Sequence, residues 1–213
     1  MKPNLILATA VALVAAPTAT SAADLVVNGN FDGGNAGFST TYLYNGGGVP
    51  QGSYFFTRNY NGITDHTTGS DYFMAVDANS DSSYFWSETT NVAANSAYTF
   101  SYWVRNLTGG SQPIVSTTAN GSQIGMDTTV SDNGQWQHVS ITFNSGAATS
   151  LTLTLLNNNH SYINNDLGVD DISLIGPAAV GAVPEPASWA MLTIGFGVVG
   201  AGLRRRPAKR AVA

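Results

Sequence analysis

The sequence predicts an all-β domain in which two sheets pack face to face, and three features indicate this fold. Residues 24–176 contain short runs of alternating apolar and polar residues, which is the period of a half-buried strand. Turn-forming Gly, Asn and Ser residues separate these runs. No apolar pattern of helical period reaches a useful length here. Many short strands joined by polar turns favour a two-layer sandwich.

Each alternating run supplies one predicted strand. The expected strands are residues 25–31, 72–76, 84–92, 98–104, 114–119, 122–126, 136–143, 150–156 and 168–175. The pair Asn120-Gly121 is a strong signal for a two-residue hairpin between two of them. Alternation also divides the side chains between faces, so that Phe100 and Tyr102 point inward while Trp103 lies on the polar face.

The charge distribution restricts the partners of this domain. Between Asp24 and Gly176 the basic residues are only Arg58 and Arg105, against twelve acidic residues. A surface this acidic repels phosphate backbones, so we expect no nucleic-acid partner. The chain has no cysteine, so its stability must come from its own core rather than from disulfides.

The N-terminal residues 1–23 have the three parts of a secretory signal peptide. Lys2 supplies the positive end, residues 5–16 are apolar, and small residues at 20–23 offer a cleavage site. The sequence therefore predicts export of the domain at 24–176.

The C-terminal residues form a three-part tail after a linker at 177–183. Residues 184–213 begin with Pro184-Glu185-Pro186 and continue through Trp189-Ala190 and an uncharged stretch to Arg204-Arg205-Arg206. The stretch 187–203 is about 25 Å long as a helix, which is close to the minimum for crossing a bilayer. The arginines are expected to stay on the cytoplasmic side of the inner membrane.

This tail resembles the PEP-CTERM sorting signal in its PEPxxWA variant. The resemblance implies that an exosortase is a partner, that the precursor is held transiently in the inner membrane, and that the product reaches the cell surface or the extracellular space. The residues that carry it are Pro184, Glu185, Pro186, Trp189, Ala190, Arg204, Arg205 and Arg206. They form a recognition element and not a catalytic site.

The domain resembles jelly-roll carbohydrate-binding modules of the galactose-binding-like type. The opening residues 27–32 (VNGNFD) are similar to the first conserved motif of that group, and residues 165–174 (NDLGVDDISL) to its closing strand. The resemblance implies a jelly-roll β-sandwich, commonly with a structural calcium and sometimes with a sugar-binding face.

A structural calcium is therefore expected at Asp32, Asp170 and Asp171. Asp170 is predicted to share a face with Ile172 and Leu174 at the rim of the core, where a carboxylate must be paired or bound to metal. Calcium binds oxygen ligands of this kind. Hydrogen bonds to turn amides and water are the alternative. Asp32 stands where the group more often has Glu, so its reach is shorter.

The expected function is non-catalytic binding or organisation of exopolysaccharide. Trp103 with Arg105, extended by Trp86, is the candidate ligand contact, because a large aromatic ring among polar groups can stack on a sugar. The alternative for Trp103 is burial under loops. No catalytic motif is present, so we expect no enzyme. Two other functions remain open: a structural or adhesive matrix protein that recognises no sugar, and a small envelope hydrolase with paired carboxylates.

Overall fold

Two antiparallel β-sheets build the domain in the computed structural model, which describes residues 22–46, 50–81, 83–161, 163–177 and 195. The strands are β1 (Ala22–Asp24), β2 (Leu43–Tyr44), β3 (Ser53–Thr57), β4 (Phe73–Asp77), β5 (Tyr84–Asn91), β6 (Ala97–Asn106), β7 (Ile114–Ala119), β8 (Ser122–Gln123), β9 (Thr128–Thr129), β10 (Gln137–Asn144), β11 (Ser150–Asn157) and β12 (Leu167–Pro177). They all lie within one compact unit, Thr20–Ala179. The predicted two-sheet, all-β fold is confirmed.

The larger sheet, here called sheet A, has the strand order β10-β6-β12-β4-β3-β2, with β1 paired to the far end of β12. The smaller sheet B has the order β5-β11-β7-β8, with β9 also paired to β7. Only the two-residue strand β2 runs parallel to its neighbour. The predicted hairpin at Asn120-Gly121 joins β7 to β8.

The main core lies between the sheets and follows the alternation of the sequence. On β6 the inward-facing residues Phe100 and Tyr102 are fully buried, and the side chains between them are half-buried on the outer face. Leu153 and Leu155 of β11 meet them from sheet B. Burying these large side chains supplies most of the driving force for folding.

A second, smaller core lies on the outside of sheet A. Phe73, Ala75 and Leu107 are buried there, and Trp136 packs against them. The indole of Trp136 meets the ring of Phe73 edge-on at 5.4 Å and donates a hydrogen bond to the carbonyl oxygen of Thr64 at 3.1 Å. This half of the sheet is therefore covered by loops.

The strand predicted at 25–31 is wrong. β1 ends at Asp24 and none of the residues 25–31 is in a strand; Asn28 and Phe31 have φ of 60° and 59°, outside the β region. The Asn28 side chain explains the turn, because it donates to the carbonyls of Gly34 and Ala36 and accepts from the amide of Gly33. Asn is a residue that tolerates this left-handed conformation.

The closing strand β12 contains a β-bulge that reverses one prediction. Asp170 pairs with Trp103 while Ser173 pairs with Ser101, so β12 has one residue more than β6 between these pairs. Asp171, inside the bulge, has φ of 47°. The extra residue changes the alternation, so Asp170 lies on the outer face with Trp103 and not on the face of Leu174.

The two ends of the chain fall largely outside the described residues. The predicted signal peptide is described only at Ala22 and Ala23, and the predicted tail only at Gly195. Within the described ranges, no helical segment has the length and hydropathy needed to span a bilayer.

Candidate functional site

The outer face of sheet A is accessible on one side only. Residues 58–72, here called the covering loop, pass over the β12 and β4 side. On the β6 and β10 side, β10 pairs with β6 over eight unbroken positions and presents an accessible row of side chains. We call this row the outer strip; its members are Thr99, Ser101 and Trp103 of β6 and His138, Ser140 and Thr142 of β10.

Trp103 is the largest aromatic side chain of the outer strip and lies at one end of it. It lies on the polar face of β6 as the alternation predicts, and it is half-buried. The imidazole ring of His66, from the covering loop, stacks on the indole with centroids 3.5 Å apart and planes at 16°. His138, directly opposite on β10, has its ring 4.7 Å away. Trp103 is therefore held by contacts with both histidines.

The covering loop is anchored to the bulge of β12. The amide of His66 donates to Asp170 at 3.0 Å, and its Nδ1 lies 2.9 Å from an Asp171 carboxylate oxygen. The hydroxyl of Thr67 donates to the same Asp171 oxygen. The two consecutive aspartates thus fix the ring that covers Trp103.

Both histidines were missed as site residues by the sequence reasoning. His138 carried a usable signal, because it stands at an outward position of a correctly predicted strand. His66 carried none, because its place over Trp103 depends on the fold of the loop.

Arg105 lies beside Trp103 on the same face of β6. Burial lowers the pKa of its guanidinium, and its Nε atom has no hydrogen-bond partner within the described part of the chain. Arg105 therefore lies next to the outer strip with a buried Nε–H group that has no acceptor in the described part of the chain.

Trp86 cannot contact a ligand in this fold. It pairs with Leu155 across β5 and β11, points into the main core, and is fully buried against the ring of Phe100. The prediction that Trp86 extends the ligand surface is wrong, because β5 turns this residue to the inner face.

A cavity of about 230 Å³ lies at the bulge and brings together several acids. Asp170 and Asp171 line it with Asp65, Asp71 and Asn30, and no Lys or Arg lines it. Asp170 is 2% exposed, and burial, together with the charges of Asp171 and Asp65, raises its pKa to about 7.

The carboxylate oxygens that line the cavity are the kind of ligand that calcium prefers. The predicted ligand Asp32 is not among the residues that line it. Asp32 is exposed, accepts a hydrogen bond from Asn30 and does not line the cavity. No group of three or more His, Cys, Asp or Glu side chains among the described residues is placed to hold a metal ion. The structure therefore does not bring Asp32 together with Asp170 and Asp171.

A carboxyl pair lies elsewhere on the outer face of sheet A. The pairing of Leu167 with Val76 sets Asp166 beside Asp77. Burial and the charge of Asp77 raise the pKa of Asp166 to about 7. The two acids are therefore neighbours on the outer face, and the charge of Asp77 opposes ionisation of Asp166.

Comparisons with known proteins agree with the fold and identify the tail. Residues 182–206 match the PEP-CTERM protein-sorting motif. No curated protein sequence matches the chain.

Three solved structures share the fold at low sequence identity. The xylan-binding CBM22-1 domain of Paenibacillus barcinonensis Xyn10C is 16% identical, with a TM-score of 0.53 over 76% of this chain and all of that one. A Stig cyclase from Fischerella sp. TAU is 13% identical, with a TM-score of 0.53 over 74% of this chain and all of that one.

The third structure, the α-L-arabinofuranosidase MgGH51, is 11% identical, with a TM-score of 0.53 over 73% of this chain and 26% of that one. Carbohydrate-binding modules and enzymes thus both occur among the structural neighbours, and these likenesses show the fold alone. The chain carries a PEP-CTERM sorting motif and a jelly-roll β-sandwich of the kind found in carbohydrate-binding modules.

Proposed function

We propose that this protein binds exopolysaccharide through the outer strip after the sorting motif has delivered it to the cell surface. The observation that carries the proposal is the accessible strip itself. Trp103 and His138 form one end of it, His66 stacks on the indole, and the hydroxyl groups of Ser101, Ser140, Thr99 and Thr142 continue along the strip. Aromatic rings that cover the apolar face of a sugar, with polar groups for its hydroxyls, suit a neutral polysaccharide.

The strongly acidic domain favours neutral sugars over acidic ones. Arg105, on the same face of β6 as Trp103, is the neighbouring donor that we propose for a sugar oxygen, through its guanidinium rather than its enclosed Nε–H. The PEP-CTERM motif implies processing by an exosortase, so the binding domain acts outside the cell.

The test is binding of the unit Thr20–Ala179 to a panel of neutral and matrix polysaccharides, measured by affinity electrophoresis and glycan arrays. We expect Trp103→Ala to weaken binding about tenfold, because the indole that holds both histidine rings in the outer strip is lost. His138→Ala should weaken it less. The matched control is Thr89→Ala, which removes a side chain from the outer face of sheet B. Absence of binding to every polysaccharide contradicts the proposal.

A structural matrix protein without sugar recognition is the alternative. In that case, deleting the gene would change the cohesion of the matrix, although the purified domain would bind no polysaccharide. The same deletion, complemented with the Trp103→Ala protein, separates the two functions, since only the sugar-binding function is lost in that variant.

We also propose Asp170 and Asp171 as ligands of a structural calcium at the 230 Å³ cavity. The support is a buried carboxylate beside three other acids in a cavity that no Lys or Arg lines. A bound calcium ion would offset the electrostatic repulsion among these carboxylates. We expect calcium to raise the melting temperature by several degrees over chelator, and Asp170→Asn to abolish the difference. Equal melting temperatures in calcium and in chelator contradict this assignment.

A further inference from the structure

The strand β10 is an open edge of sheet A. It has β6 on one side, and in the described part of the chain no backbone hydrogen bond joins its other side to any segment. It is eight residues long, about 27 Å. Its register with β6 is unbroken, so no bulge bends it away.

The sequence of β10 lacks every common device that protects an edge. Natural sheets block their edges with Lys, Pro, bulges, short strands or covering loops. The residues 137–144 (QHVSITFN) contain no Lys, Arg, Asp, Glu, Pro or Gly, and half of them, Val139, Ile141, Thr142 and Phe143, favour strands. An exposed strand of this composition is competent to pair with another strand.

The other edges of the same fold are protected. The edge of β5 is bonded by residue Ser39, whose amide and carbonyl both hydrogen-bond to Ser87 at 2.7 and 2.8 Å. The edge strands β2, β8 and β9 have two residues each. Residues 125 and 131 contact side chains of β10, but among the described strands β10 is the one long edge without backbone pairing on its outer side.

We propose that β10 pairs with β10 of a second copy of this chain, in an antiparallel, two-fold symmetric contact. A second copy is the partner that we infer, because β10 carries no Lys, Arg, Asp or Glu, so the pairing strands add no like-charge repulsion to that between the acidic domains. The half-buried side chains Ile141 and Phe143 lie on the inner face at the edge of the core. The same residues of the second copy complete their burial.

The contact is expected to be weak and to depend on concentration. One strand pair of this length buries less than the roughly 1,200 Å² of a stable interface. Attachment of the precursor to a membrane raises the local concentration of the domain, which favours pairing there.

Pairing also has a consequence for polysaccharide binding. It joins the outer strips of the two copies into one continuous surface, with the two β6 strands about 14 Å apart. A long sugar chain then meets both strips at once and binds with avidity. This consequence rests on the proposed function, whereas the pairing itself does not and is measured without sugar.

The experiment is sedimentation velocity on the unit Thr20–Ala179 over a range from micromolar to millimolar concentration. This unit contains all the described strands and both cores, and therefore folds without the tail. We expect reversible dimers. Ser140→Lys and Ser140→Glu, at an exposed position of β10, should each raise the dimer Kd about threefold to tenfold through like-charge repulsion.

Mixing the two variants in equal amounts should restore association, because opposite charges then face each other across the contact. Thr89→Lys, on sheet B, is the control that changes charge elsewhere. A monomer at all concentrations overturns the proposal, and so does a dimer that Ser140→Lys leaves unchanged. Melting curves of the variants show that they are folded.

Discussion

Glu88 is a buried carboxyl whose titration should control stability near neutral pH. It is 8% exposed; one oxygen accepts a hydrogen bond from the amide of Val27 at 3.0 Å, and the other has no partner in the described structure. Burial, opposed by this hydrogen bond and assisted by the charge of Asp24, raises its pKa to about 7.

We predict that the domain loses stability as pH rises from about 4 to above 7. The folded state holds the Glu88 proton more tightly than the unfolded state, whose carboxyl has a pKa of about 4.3. This stabilisation is complete below the unfolded pKa and is lost as pH passes the folded one. Glu88→Gln should flatten the profile, measured by urea unfolding at several pH values, whereas Asp132→Asn, at an exposed carboxyl, should not. A profile that Glu88→Gln leaves unaltered would refute this assignment.

His66 shields one face of Trp103, and its removal should expose the indole. With the stacked ring gone, we expect His66→Ala to increase quenching of tryptophan fluorescence by acrylamide. His160→Ala is the control, because His160 contacts the carbonyl of Ser80 and no tryptophan. If quenching is the same in both variants, His66 does not cover Trp103 in solution.

At the scale of elements, the opening turn and the bulge of β12 form one unit. The amide of Ile172 donates to the carbonyl of Gly29 at 3.0 Å. A Cβ on Gly29 would collide with the Ile172 carbonyl oxygen. Phe31 follows in the turn and is fully buried. The two motifs that resemble the jelly-roll group therefore contact each other.

Gly29→Ala should destabilise the domain by about 1–3 kcal/mol, because the backbone of one of these two segments must move. The matched control is Gly46→Ala, since a Cβ there has nothing nearer than the Tyr44 hydroxyl at 3.8 Å. Chemical denaturation of both variants measures the difference. Equal stabilities would mean that the turn can shift away from β12 at little cost.

At the scale of the whole molecule, the sorting tail decides where the domain acts. The matched motif implies a precursor that is exported, anchored in a membrane and processed for the cell surface. Each recognition residue lies in a segment separate from the sandwich, so changes there should alter location and leave the binding of sugar intact.

We predict that replacing Pro184, Glu185 and Pro186 by alanine keeps the protein in the membrane fraction. Exosortase processing requires its recognition element, so the uncut precursor should accumulate. Immunoblots of membrane, envelope and medium fractions measure this, with Lys209→Ala as the control outside the motif. Release of the alanine variant at the normal rate would show that the motif is not used.

The sequence by itself determined the features that depend on local order along the chain. Alternation with period two identified β4 to β7 and β10 to β12, although it missed β3 and wrongly predicted a strand at 25–31. It also placed Trp103 outward and Phe100 inward, because successive strand side chains point to opposite faces. The sorting motif could likewise be predicted from the sequence, because an exosortase recognises a continuous segment of the chain.

The tertiary structure decided everything that depends on which distant segments meet. Trp86 and Trp103 both stand on strands, but only the pairing of β5 with β11 shows that Trp86 faces the core. One bulge moved Asp170 to the outer face, and a loop about one hundred residues away in sequence brought His66 onto the same site. Such contacts join residues far apart in the chain, and no local pattern in the sequence encodes them.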